Sequence, residues 1–132
     1  MYVGAQADPE AHGGEAPSVA RIVVSALPGG CGVSFDYEVL TAAGTIAHNE
    51  HAILARTPAG NVVITAHSHA DVATVIHETE PGYFPAADGA APFPMAIRLD
   101  VPEPGHLVYS WSYGGRGEPM RVRDVGDVRR VS

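Results

Sequence analysis

The feature that most limits what this chain can become is how often its apolar runs are broken. From Ser18 onward, Gly, Pro or Asn interrupts the sequence roughly every 8–12 residues, the spacing of short strands and tight turns. The runs between the breaks cover 18–26, 31–40, 46–56, 61–69, 72–79, 94–101, 106–113 and 118–131, and each is rich in Val, Ile, Tyr or Thr. β-Branched and aromatic side chains suit a pleated, half-buried surface. No segment sustains a 3.6-residue period, and even Asp71 to Ile76 holds Val72, Thr74, Val75 and Ile76. The expectation is an all-β domain of about eight antiparallel strands, as a sandwich or an up-and-down barrel.

With 132 residues, 45% of them hydrophobic, there is room for one domain and one core. Residues 1–17 have no periodicity and read as a flexible leader, leaving 18–132 as the folded unit. No apolar run approaches the roughly 20 residues of a membrane-spanning helix, and Met1 to Ala11 lacks the basic flank and apolar stretch of a secretion signal. No membrane partner and a cytoplasmic location are expected. Fifteen acidic against eight basic side chains give a net charge of −7, and with no Lys every basic residue is Arg. Such a surface repels phosphate backbones, so nucleic acid is not expected as a partner. The cluster Arg121, Arg123, Arg129 and Arg130 is interleaved with Asp124 and Asp127, as on a solvated strand face. Cys31 is the only cysteine, which excludes an internal disulfide and a Cys-based zinc site.

Two turns propose registers. Thr41-Ala42-Ala43-Gly44-Thr45 and Thr57-Pro58-Ala59-Gly60-Asn61 both read as three-residue hairpin loops with Gly at the left-handed position. Pairing Thr41 with Thr45 sets Tyr37 opposite Asn49 and Phe35 opposite His51; pairing Thr57 with Asn61 sets His51 opposite His67. Because strand side chains alternate, Phe35, Tyr37, Val39, Asn49, His51, Ile53, Val63, Thr65, His67 and His69 then share the inner face. A tight turn near Ala70 adds Ala73, Val75 and His77 to it. Asp36, Glu38, His48, Glu50 and Glu78 fall outside, alongside Leu54, Ile64 and Ile76. A change of one residue in either loop reverses the assignment, and the other register groups His48, Glu50, His67 and His69. The alternation of Leu107, Tyr109, Trp111 and Tyr113, and of Met95, Ile97, Leu99 and Val101, points those residues inward, with Arg98 outward. The Pro- and Gly-rich connection carrying Tyr83, Phe84 and Phe93 is either a lid over the mouth or a loop pinning aromatics onto the core.

Chemistry concentrates in the histidines. Five of the seven lie between His48 and His77. In the first register His51 and His67 are the candidate acid/base residues, since imidazole titrates near neutrality. Phe35, Tyr37, Asn49, His69, Tyr109 and Trp111 would hold the ligand. Cβ atoms of opposed residues lie about 4.5–5.5 Å apart, so His51, His67 and His69 are also a candidate set for a divalent metal such as Zn²⁺. Purely structural, hydrogen-bonded strand histidines are the competing account. The chain has no dinucleotide fingerprint, P-loop or nucleophile elbow, and no cofactor is otherwise expected.

The strand pattern with its aromatic inner face resembles the calycin-like small barrels, the lipocalin and fatty-acid-binding group. His77-Glu78-Thr79-Glu80-Pro81-Gly82-Tyr83-Phe84 is similar to the His, Glu, Gly, Tyr segment of nitrobindin-type haem barrels. The Gly-x-Trp opening is absent, and no His follows His106, so the resemblance implies a barrel and its cavity without haem. The leading expectation is a lumen that takes a small, largely apolar organic molecule. It would act as a carrier, or as an enzyme using a lumenal His for cyclisation or isomerisation. The alternatives are a metal-dependent enzyme of the cupin kind, and an interaction module that dimerises through Leu54, Ile64 and Ile76.

Overall fold

The computed structural model describes residues 1–7, 17–115, 117 and 119–131. Ten strands among them form one antiparallel sheet: β1 (Tyr2–Ala7), β2 (Pro17–Ala26), β3 (Gly32–Thr41), β4 (Ile46–Thr57), β5 (Gly60–His67), β6 (Thr74–His77), β7 (Tyr83–Pro85), β8 (Met95–Glu103), β9 (His106–Tyr113) and β10 (Arg121–Arg130). Their order is β6-β5-β4-β3-β2-β1-β10-β9-β8-β7, and the two edges, β6 and β7, curl round to approach each other. The result is a nearly closed up-and-down barrel. The core inside it is built from Ala20, Ile22, Phe35, Tyr37, Val39, Ala52, Val63, Ile76, Phe84, Met95, Ile97, Tyr109, Trp111 and Val128.

The eight expected strands are present, joined by two more. Tyr2–Ala7, expected as part of a loose leader, is a strand paired to β10 on one side and β2 on the other. The remainder of that leader, 8–16, lies outside the described residues. The other addition is β7, a short strand within the Pro-rich connection. It depends on Gly82, whose φ of 76° is left-handed and whose nitrogen donates to Glu78 Oε2 at 3.0 Å. A Cβ at Gly82 would lie 2.4 Å from the Leu99 carbonyl oxygen. The other Glu78 oxygen accepts from Asn61 Nδ2 at 3.0 Å, so one carboxylate links β5 to the turn entering β7 across the open seam.

Both expected registers are off by one residue, for different reasons. The β3–β4 turn forms as read: Thr41 N donates to Thr45 O at 2.9 Å and Gly44 is left-handed, with φ 81°. Beyond it, Leu40 pairs with Ile46 but Val39 pairs with His48, leaving Ala47 as a bulge. One unpaired residue reverses the facing of everything beyond it. Asp36 therefore lies opposite His51 and Tyr37 opposite Glu50. At β4–β5, Thr57 pairs with Gly60 around a two-residue loop, not with Asn61. The two shifts cancel, so β3 and β5 face as expected while β4 is inverted. β6 is inverted as well, with Thr74 opposite Thr65, so Thr74 and Ile76 are buried and Ala73, Val75 and His77 are exposed.

Candidate functional site

Inverting β4 decides the chemistry of the interior. His48, Glu50 and Ala52 face inward and are almost fully buried, at 2%, 1% and 0% exposure. Asn49 and His51 face outward. His51 Nδ1 lies 2.6 Å from Asp36 Oδ1 on the surface, and Asn49 N takes Ser68 Oγ as its acceptor at 3.2 Å. The set His51, His67 and His69 is therefore not assembled. The inner face instead carries His48, Glu50 and His67, with His69 at the rim. Among the described residues no group of three or more His, Cys, Asp or Glu is arranged to hold a metal ion.

Glu50, expected in solvent, is the centre of the buried polar network. Tyr109 Oη donates to both of its oxygens at 3.0 and 3.1 Å, Trp111 Nε1 donates to Oε1 at 3.3 Å, and Thr65 Oγ1 donates to Oε2. This is the pattern of a group that only accepts. A second pair lies beside it, with Tyr37 Oη donating to the buried Asp124 Oδ1 at 3.1 Å. Gly126 leaves space for that reach, since a Cβ there would meet Tyr37 Oη at 3.1 Å. Burial, with the negative charge of Glu50 beside Tyr109 and of Asp124 beside Tyr37, holds both phenols well above the ordinary tyrosine range. Both remain protonated donors.

Above this layer the histidines stack. The His48 ring lies 5.0 Å from His69 and 6.3 Å from His67, nearly parallel to both, with the edge of Trp111 5.5 Å away. His67 also meets Trp111 at 4.8 Å and Phe93 at 6.0 Å. His67 Nδ1 accepts from the His69 backbone N–H at 3.3 Å, which assigns the ring proton of neutral His67 to Nε2. Burial lowers the His67 pKa; the nearby Glu50 raises it in part and His48 lowers it again. His48 Nε2 and His67 Nε2 are both buried without a hydrogen-bond partner among the described residues, and Glu50 Oε1 lies 3.9 Å from His48 Nε2.

His48 opens onto a cavity of about 300 Å³, walled by His69, Phe93, Trp111 and Tyr113, with Gly114, Gly115 and Asp124 completing it. It occupies the barrel end formed by the β3–β4, β5–β6, β7–β8 and β9–β10 connections. Of the expected ligand residues, His69 and Trp111 line it; Tyr37 and Tyr109 lie deeper in the polar layer, and Phe35 packs edge-on against Tyr109 at 5.3 Å. The Pro-rich connection divides its aromatics. Phe84 is buried in the core, Tyr83 lies beneath the outward Arg98 guanidinium at 4.7 Å, and Phe93 reaches the cavity wall and packs on Tyr113. The expected dimer strip is divided too: Ile76 is 1% exposed inside the barrel and Leu54 packs against its core, while Ile64 alone is outward.

Sequence reasoning missed His48, Glu50, Asp124, Phe93 and Tyr113 as members of one site. The signal available was the alternative register, which grouped His48 and Glu50 with His67 and His69. Nothing in the sequence marked Ala47 as the residue that selects it. No helix among the described residues is long and apolar enough to cross a membrane. No family model, no curated protein and no solved structure matches the chain.

Proposed function

We propose that this barrel takes a small, largely apolar, ring-bearing organic molecule into the His48 cavity and moves a proton on it, as an isomerase or cyclase does. The observation that carries this reading is His48 itself: a nearly fully buried imidazole lining an aromatic-walled cavity, with Nε2 unmatched. A buried polar atom without a partner costs about 1–3 kcal/mol, and a ligand that hydrogen-bonds there offsets that cost. The volume lies at the small end of organic-ligand pockets, which span about 300–1,000 Å³.

His48 is the proton-transfer group. In the transfer, Nε2 takes a proton from the α-carbon of a β,γ-unsaturated ketone, the C–H electron pair moves into the dienolate, and His48 returns the proton at the γ-carbon as the double bond moves into conjugation. Glu50, 3.9 Å away, stabilises the imidazolium as it forms in dry surroundings. His67, kept neutral by burial, adds no second positive charge to the stack. Trp111, Tyr113 and Phe93 hold the ring against this edge.

The test uses 2-tetralone, a two-ring ketone with exchangeable α-hydrogens. Its binding is read by Trp111 fluorescence, and its α-deuteration in D₂O is followed by NMR. Saturable binding and accelerated deuteration are expected in the parent protein, with deuteration lost in His48→Gln. Binding without deuteration would leave a carrier. Absence of saturable binding by this ketone and by a panel of one- and two-ring ketones would overturn the reading.

A further inference from the structure

The barrel has a second interior space toward its other end, where β2 runs into β3 and β8 into β9. It is a cavity of about 200 Å³ lined by Ile22, Val24, Val33, Phe35, Leu99 and Leu107, with Tyr2 at its rim and Tyr109 at its floor. No described residue lines both cavities. Between them lies the hydrogen-bonded layer of Tyr37, Glu50, Tyr109 and Trp111, closed by edge-to-face packing of Tyr37 on Tyr109 at 5.1 Å.

We infer that this far cavity is a separate binding site for an uncharged hydrocarbon group, an aromatic ring or a short branched alkyl. Among the described residues its lining contains no carboxylate, imidazole, guanidinium or amide side chain, and the Tyr109 hydroxyl is committed to Glu50. A charged guest would lose its hydration there and find no opposite charge, with only the Tyr2 hydroxyl at the rim as a polar partner. An apolar guest loses nothing of the kind, and well-packed interiors leave few voids of this size. An apolar cavity of about 150 Å³ suffices to bind benzene. The site stands apart from the proton-transfer reading, because the hydrogen-bonded layer separates it from His48.

Benzene is the probe, titrated into isotopically labelled protein and followed through methyl and amide NMR signals. Saturable shifts at Val24, Val33, Leu99 and Leu107 are expected, with intermolecular contacts from benzene to those methyl groups. Any shift of the Trp111 indole N–H and the Gly114 amide, from benzene in the His48 cavity, should follow its own saturation curve and be unaffected by Val24→Phe. A Val24→Phe variant, which fills the cavity, should weaken benzene binding at least tenfold, while His48→Ala leaves it unchanged. Shifts confined to Trp111 and Gly114, or shifts that never saturate, would overturn the inference. So would unchanged affinity in a folded Val24→Phe protein. Should that variant not fold, the benzene–methyl contacts in the parent protein decide the matter alone.

Discussion

Glu50 accepts hydrogen bonds from Tyr109, Trp111 and Thr65 in the buried interior, and its removal is correspondingly costly. Glu50→Ala strips an acceptor from Tyr109, Trp111 and Thr65 at once; Trp111 Nε1 keeps Tyr109 Oη at 3.2 Å, and the Tyr109 and Thr65 hydroxyls are left as donors in a dry core. A loss of about 3–5 kcal/mol is expected, as for breaking a buried charged network, read from urea denaturation. Glu50→Gln keeps one acceptor oxygen and should cost less. His67 gives a pH signature. Its folded-state pKa lies below the unfolded value of 6.5, so on acidification the unfolded chain binds the proton first. Stability from this group is complete above the unfolded pKa and is lost as pH falls from there toward the depressed folded value. His67→Gln should therefore show a smaller drop in Tm between pH 7.5 and 5.5 than the parent protein, measured by thermal melts in matched buffers.

Strands were legible where composition and alternation agreed, as in Leu107 to Tyr113, whose aromatics fall inside as read. Turn chemistry was legible too, since Thr41 and Gly44 form the hairpin their types imply. The Ala47 bulge was not legible, because alanine carries neither a left-handed preference nor a donor that marks an unpaired position. The Thr57–Gly60 loop was not either, because Pro58 followed by Gly60 fits a two-residue and a three-residue connection equally well. β1 escaped notice because Gly4 and Ala5 supply no apolar alternation; Gly4 is there because the Asp127 carbonyl oxygen passes within 1.9 Å of where a Cβ would sit. β7 was hidden among prolines and rests on its turn. Gly82→Ala should cost about 1–3 kcal/mol, from left-handed backbone strain and the Leu99 carbonyl. Hydrogen exchange at the Leu99 amide, which donates to Gly82 O at 2.8 Å, should accelerate first.

The molecule as a whole is a meander whose first and last strands pair, β1 against β10, while its seam falls mid-chain between β6 and β7. The seam strands are the shortest, and each is paired on one side only. Their amides should exchange faster than those of β3 or β9, measured by native-state hydrogen exchange. Glu78→Ala, which removes the side-chain link between β5 and the turn into β7, should widen that difference at a cost of about 1–3 kcal/mol. A barrel of this kind also has a parity. With Ala47 unpaired, an acid and an imidazole lie in the dry interior and Asn49 and His51 meet water. Were Ala47 instead paired with Val39, the reverse would hold, with Glu50 in water and Asn49 and His51 inside, whereas deleting Ala47 would straighten the ladder and keep Val39 opposite His48. What the interior of such a barrel can do is then governed by whether an extra residue is paired or left out of the ladder, a choice that an inventory of residue types does not record.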